Sequence, residues 1–172
     1  LHWIWLESTL RRLSSGVEPR LILVVGHRPV FSAGRRGRTA SEARVSDRLH
    51  SLFARYGVGA YIDGHDHNMQ HLRKDGIQYF VNGVGGFDTH AVDPDAHMWP
   101  RSRDQTLVWG IASGFGFVQH KVTDAGMQLE FVHVVKRGAE PTGADSESLV
   151  VPKVVHTMLV PWKAGGFAAR KT

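Results

Sequence analysis

The chain has 172 residues, 42% of them hydrophobic and 22% charged, an ordinary globular balance that excludes wholesale disorder. It has no cysteine, which excludes disulfides and thiolate metal sites, and no run approaches the roughly eighteen uncharged apolar residues of a membrane span. The net charge of +5 suits anionic partners, phosphate esters and nucleic acid among them.

His2 to Ser15 places Trp3, Ile4, Leu6, Leu10 and Leu13 at helical spacing, and Ser14-Ser15-Gly16 ends that helix. The chain opens on Leu1 rather than Met and inside this helix, so further residues are expected before it. Leu21 to Val25 is a short, branched apolar run, the pattern of a strand buried on both faces. Gly26 to Ala40 is a loop broken by Pro29, Gly34 and Gly37. Ser41 is the expected N-cap of a helix over Ala43 to Tyr56, with Val45, Leu49, Leu52 and Phe53 on one face. Gly57 closes that helix, and a second strand runs from Gly59 to Asp63. Helix, strand, loop, helix, strand is an α/β order.

Two hairpins follow. Met69 to Leu72 and Ile77 to Val81 flank Lys74-Asp75-Gly76, and Asp-Gly is a strong hairpin signal. Gly114 to His120 and Met127 to Val135 flank Thr123-Asp124-Ala125-Gly126. Between them, residues 83–110 are rich in Gly, Asp, Pro and His without periodicity and are expected to form one long loop. Glu140 to Ser148 reads as a polar linker, Val150 to Val160 as an edge strand carrying Pro152, and Lys163 to Thr172 as a tail.

The strongest chemical signal is Gly64-His65-Asp66-His67-Asn68, directly after a strand. In extended backbone, His65 and His67 point to one side with Cα atoms about 6.5 to 7 Å apart. Paired hydrolytic metals sit about 3.5 to 4 Å apart. The two rings therefore suit one ion each, or chelation of a single ion. The bland alternative is a pair of surface histidines at a strand end. Gly26-His27-Arg28-Pro29 also follows a buried strand, and in α/β sheets ligands bind at that end. Three histidines at one rim are far less expected by chance than either motif alone.

Val24-Val25-Gly26-His27-Arg28-Pro29-Val30-Phe31-Ser32 and Tyr61-Ile62-Asp63-Gly64-His65-Asp66-His67-Asn68 resemble the last two metal motifs of calcineurin-like metallophosphoesterases. Trp5-Leu6-Glu7, Tyr56-Gly57-Val58 and Gln78-Tyr79-Phe80-Val81-Asn82-Gly83-Val84-Gly85-Gly86 resemble the small purple, or tartrate-resistant, acid phosphatases. The resemblance runs from about residue 3 to residue 134. It implies a partial metallophosphoesterase α/β sandwich, mixed sheets flanked by helices, of which this chain supplies only the second half. Residues 1–135 would be that half domain, and 136–172 a linker, edge strand and tail.

The resemblance also implies a function. It is hydrolysis of phosphate monoesters by a metal-bound hydroxide at a dinuclear centre, iron with iron, zinc or manganese. His27 and His65 would bind the more labile metal and His67 the other. Three imidazoles cannot satisfy two cations that each want about four to six donors. The remaining ligands, carried in the family by aspartate and Asn-His-Asp motifs, are expected upstream of Leu1, so activity requires that missing N-terminal half.

Asp66 and Asn68 are expected to shape the loop. The family's histidine nine residues after the first metal ligand is here Arg36. Arginine grips phosphate but gives up no proton near neutral pH. Arg36 is therefore expected to act in substrate binding without proton transfer, with Arg35 and His90 also at the substrate. His2, His50, His120, His133 and His156 are expected at the surface or on helix faces. The alternatives are an inactive half domain or pseudoenzyme, and a phosphodiesterase or nucleotidase on the same site. Few aromatics interleave with the arginines, so nucleic acid is not an expected partner. The family setting is secreted, lysosomal or vacuolar.

Overall fold

The computed structural model describes residues 1–16, 21–34, 40–92, 106–112, 114–136 and 150–162. In chain order, helix α1 (His2–Ser14) precedes strand β1 (Ile22–Val25), helix α2 (Ala40–Tyr56) and strand β2 (Val58–Asp63). Strands β3 (Met69–Lys74), β4 (Ile77–Asn82), β5 (Thr106–Ile111), β6 (Phe115–Thr123), β7 (Gly126–Lys136) and β8 (Val150–Pro161) follow. Five strands form one mixed sheet in the order β1-β2-β4-β3-β5, and three form an antiparallel sheet in the order β6-β7-β8.

β1, β2 and β4 run parallel, while β3 lies antiparallel between β4 and β5. This larger sheet is covered on both faces. Tyr61, Leu72 and Tyr79 pack with Leu10 of α1 and Leu52 and Phe53 of α2. On the other face Ala60, Met69 and Phe80 pack against Met127, Leu129, Phe131 and Val160 of the smaller sheet. Double coverage explains why β2 and β4 are apolar almost without alternation. The β3–β4 hairpin closes at Asp75 and Gly76, both at positive φ (49° and 77°), as an Asp-Gly turn requires.

β1, expected to be buried on both faces, is an edge strand with Leu23 and Val25 exposed, and three further expectations need correction. Helix α2 starts at Ala40, so Ser41 lies in its first turn and is not its cap. Glu42 in that turn is held by Arg28 at 2.7 Å and suits the positive end of the helix. The second is β5, which occupies the end of the stretch expected to be loop. Leu107-Val108-Trp109 is β-favouring, but its neighbours hide the period. The third is His156, expected at the surface or on a helix face, which lies on β8 against the larger sheet, whereas His50 does lie on a helix face, the buried one of α2, bonded to the Tyr79 hydroxyl at 2.6 Å and to Asp75 at 2.8 Å.

β8 pairs with β7 along its length and forms an edge of the smaller sheet, with Pro152 opposite Val134. The two sheets are also joined by a polar contact. His71 on β3 and His156 on β8 meet Nδ1 to Nε2 at 2.9 Å. The His71 Nε2–H donates to Gln78 Oε1 at 2.8 Å, so its Nδ1 accepts from the His156 Nε2–H. His156 stacks flat on Trp109 at 4.8 Å. Burial holds both histidines below the ordinary value of 6.5, and for His71 the Gln78 bond opposes this while His156 and Arg73 add to it.

The fold thus disfavours the protonated form of both rings. Below about pH 6.5 the unfolded chain takes up protons that the folded chain refuses, so stability falls as pH falls through that window. The expected result is a melting temperature that drops between about pH 7.5 and 5, with a smaller drop in a His71→Gln, His156→Phe double variant. Equal slopes in the two proteins would remove this pair as a source of acid sensitivity.

Candidate metal centre

The parallel register Val24↔Tyr61 and Val25↔Ile62 ends β1 and β2 at one rim. His27 follows β1 by two residues and His65 follows β2 by two. The Gly26 amide donates to the Ile62 carbonyl at 3.0 Å and the Gly64 amide to the His27 carbonyl at 3.2 Å, so the two loops are knitted together as they leave the sheet.

The loop is not extended as expected. His65 has φ 62°, a left-handed conformation that is uncommon for histidine and typical of constrained sites. In that conformation its ring meets His27 edge-on, with centroids 5.0 Å apart and His65 Nδ1 3.2 Å from His27 Nε2. Two imidazole nitrogens on one tetrahedral ion, each at 2.0–2.1 Å, lie about 3.3 Å apart. The observed spacing fits a shared cation, and imidazole nitrogen suits iron and zinc.

His67 faces a different set of groups. Its Nδ1 contacts Asp88 Oδ1, and its ring stacks on His90 with centroids 4.3 Å apart and planes 12° off parallel. His90 Nε2 lies 3.6 Å from the other Asp88 oxygen. The ligand atoms of His67, Asp88 and His90 lie within 4.8 Å of one another. His90, expected at the substrate, is buried and turned toward His67 and Asp88. Asp88 was missed by sequence reasoning, although Asp88-Thr89-His90 is an Asp-x-His triplet, as is Asp63-Gly64-His65.

Beneath the loop lies a buried polar network. The Ser32 hydroxyl donates to Asp66 Oδ2, and the Gly34 amide donates to Ser32 Oγ at 2.8 Å. Gln70 Nε2 reaches Ser32 Oγ at 3.0 Å and Asn68 Oδ1 at 2.7 Å, while Gln70 Oε1 accepts the Ala33 amide at 2.7 Å. These bonds tie residues 32–34 to residues 66–70. Asp63, at the end of β2, is buried with neither carboxylate oxygen bonded among the described residues; burial and then the nearby Asp66 push it well above the usual carboxylate range.

Beside His65 is a cavity of about 410 Å³ lined by Arg28, Pro29, Glu42, Val45 and Leu49. Arg28 is paired with Glu42 on its wall, which reduces the free positive charge there. Arg35, Arg36, Arg38 and His97 lie outside the described residues. No helix among the described residues is long and apolar enough to cross a membrane.

A helix-covered mixed sheet stacked on a second sheet, with histidines at adjacent parallel strand tips, is the metallophosphoesterase fold. Relatives of the chain include tartrate-resistant acid phosphatases, purple acid phosphatase 17 of Arabidopsis thaliana and the serine/threonine-protein phosphatase UIS2 of Plasmodium berghei. Human tartrate-resistant acid phosphatase type 5 is 38% identical over 81 residues, 46% of this chain and 24% of that protein. The chain thus matches about a quarter of that relative's length. No family model matches. Among solved structures, the Plasmodium protein described as GAP50, the anchor in the inner membrane complex, superposes with TM-score 0.65 and 22% identity, covering 94% of this chain and 42% of that one. Purple acid phosphatase PPD1 from yellow lupin gives TM-score 0.58 and 16% identity, with coverage of 92% and 28%.

Gly83 sits where β4 leaves the sheet, and a Cβ there would overlap the Asp66 carbonyl oxygen. Gly83→Ala is expected to push the loop away and cost about 1–3 kcal/mol. Urea unfolding measures this, and an unchanged midpoint would show that the loop does not pack against Gly83.

Proposed function

We propose that the chain forms the second half of a phosphomonoesterase with a dinuclear metal centre, iron with iron, zinc or manganese. The observation that carries this reading is the His27–His65 pair, two imidazole nitrogens 3.2 Å apart at neighbouring strand tips. In this reading His27 and His65 hold one ion and His67 holds the other. When bound, the metal pair polarises phosphate oxygens and lowers the pKa of a bound water from 15.7 towards about 7.

The chain's own residues would position that chemistry. The left-handed backbone at His65 aims one ring at its partner. The Ser32–Asp66–Gln70 network keeps the loop from collapsing into the sheet. Arg36 and Arg35 would grip the phosphate through their guanidinium forks, which hold two oxygens at once and keep their protons. The cavity beside His65, with Val45 and Leu49 on its wall, offers space for the leaving group.

Counting donors supports a further partner. Three imidazoles leave two cations undersupplied, so the remaining oxygen ligands would come from a segment preceding Leu1. β1 ends the larger sheet with Val25 74% exposed, which leaves an edge for such a segment to join. Residues 1–135 would belong to the half domain and 136–172 to a linker, the edge strand and a tail. A secreted, lysosomal or vacuolar setting accompanies this reading.

Two measurements test it. A protein carrying this chain and its upstream segment should retain two metal ions and hydrolyse p-nitrophenyl phosphate, with activity lost on chelation and restored by iron or zinc. His65→Ala should remove about one ion, and a protein that retains no metal at all would end this reading. Arg36→Ala should raise KM at least tenfold while leaving the shape of the pH profile unchanged, on the order of one charge-assisted bidentate contact. If only the acid limb moves, Arg36 transfers a proton and the binding role is wrong.

A further inference from the structure

The wall of the cavity beside His65 continues away from the rim. Helix α2 carries Glu42, Val45 and Leu49 on that wall, spaced over two turns or about 10 Å. At the near end Glu42 pairs with Arg28, and at the far end Leu49 also lines a second cavity, of about 340 Å³. Trp3, Trp5 and Leu6 of α1 form most of that second cavity, and His2 is the one titratable group on it among the described residues. Two sets of contacts hold α1 against α2 around it. The Arg48 guanidinium lies over the Trp3 ring, 4.2 Å from its centroid. Glu7 accepts from the Tyr56 hydroxyl at 3.0 Å and from Arg55 at 3.3 Å.

The apolar side chains here do more than close the core. Trp3, Leu6 and Leu49 pack against it only in part. Val45 is 47% exposed and Trp5 66%. The result is a tract with one polar end, where His65, Arg28 and Glu42 stand, followed by Val45 and Leu49 and then by the two tryptophans. Contiguous exposed apolar surface beside a few polar groups is the make-up of a ligand site. A free phosphate or a sugar phosphate would use the polar end alone. A phosphate carrying a hydrocarbon chain would use both.

We propose that the substrate is the phosphomonoester of a hydrophobic alcohol, its phosphate at the His27–His65 rim and its chain along Val45 and Leu49 toward Trp3 and Trp5. The inference rests on the phosphomonoesterase reading and names the substrate class of that site. In the reaction water adds to phosphorus, the bond from phosphorus to the alcohol oxygen breaks, and one water proton passes to that oxygen. Inorganic phosphate and the free alcohol leave. Val45, Leu49 and Trp5 meet only the chain, so they set specificity and move no proton.

The test uses a protein carrying this chain and its upstream segment, with ethyl, butyl, hexyl and octyl phosphate as substrates. Each added methylene should raise kcat/KM about two- to fourfold, because each leaves water for an apolar wall. Glycerol phosphate, close to butyl phosphate in size but polar, should fall below it. Val45→Gln should flatten the series between ethyl and butyl, and Trp5→Gln between hexyl and octyl. Both side chains are exposed and both replacements suit a helix, so the fold is expected to stand. Equal kcat/KM across the series, with p-nitrophenyl phosphate still hydrolysed, overturns the inference alone. A protein that cleaves no phosphomonoester overturns the reading beneath it as well.

A second measurement needs no turnover. Octylphosphonate, which has no ester bond to cleave, should shift tryptophan emission to the blue as its chain covers Trp3 and Trp5. Trp5→Phe should show a smaller shift, and ethylphosphonate none. An emission spectrum unchanged by octylphosphonate overturns the chain-binding tract.

Discussion

Everything at the rim depends on the parallel pairing of β1 with β2. Parallel strands place their C-terminal ends on the same side of a sheet, so the loops that follow them must share that side. The register Val25↔Ile62 fixes the two loops to the residue, and the bonds from Gly26 and Gly64 continue the ladder one step beyond the sheet. A slip of one residue would turn His27 away from His65, because side chains alternate across a strand. The 3.2 Å approach of the two imidazoles is thus set by backbone pairing before any side-chain preference applies.

That pairing survives because both faces of the sheet are covered. Phe53 and Tyr61 pack on the helical side, and Phe80 and Phe131 pack between the sheets. Helix α2 is the crossover that makes the parallel pairing possible, and it also carries His50 to the hairpin turn. The polar groups inside this packing serve registration. Asp66, Ser32, Asn68 and Gln70 are all nearly inaccessible, and apart from Asp63 the acids around the loop are bonded. A half-satisfied network there would cost more than an apolar one, so its bonds hold the two loops in one arrangement.

Much of this was legible in the sequence where periodicity or turn chemistry spoke. Asp75-Gly76 shows as a hairpin and the histidine motifs show by spacing after strands, whereas the two-sided burial expected of Leu21 to Val25 belongs to β2 and β4 instead. What failed depended on contacts between distant residues. His65 in a left-handed conformation cannot be read from Gly-His-Asp-His, since the local preference for extended backbone is overruled by the loop's tertiary bonds. β5 was hidden because its strand signal covers only a few residues at the end of a polar stretch. Asp88 was invisible for a different reason. It is an acid in a Gly-rich loop, and its meaning comes from a ring 21 positions earlier in the chain.

The three histidines therefore stand in two environments. His27 is exposed, and its ring meets His65 edge-on at the open side of the rim beside the cavity of about 410 Å³. His67 is more enclosed, stacked on a buried ring and backed by a carboxylate. The contrast follows from residues 86–90 folding over His67, a difference made by a loop rather than by the sheet.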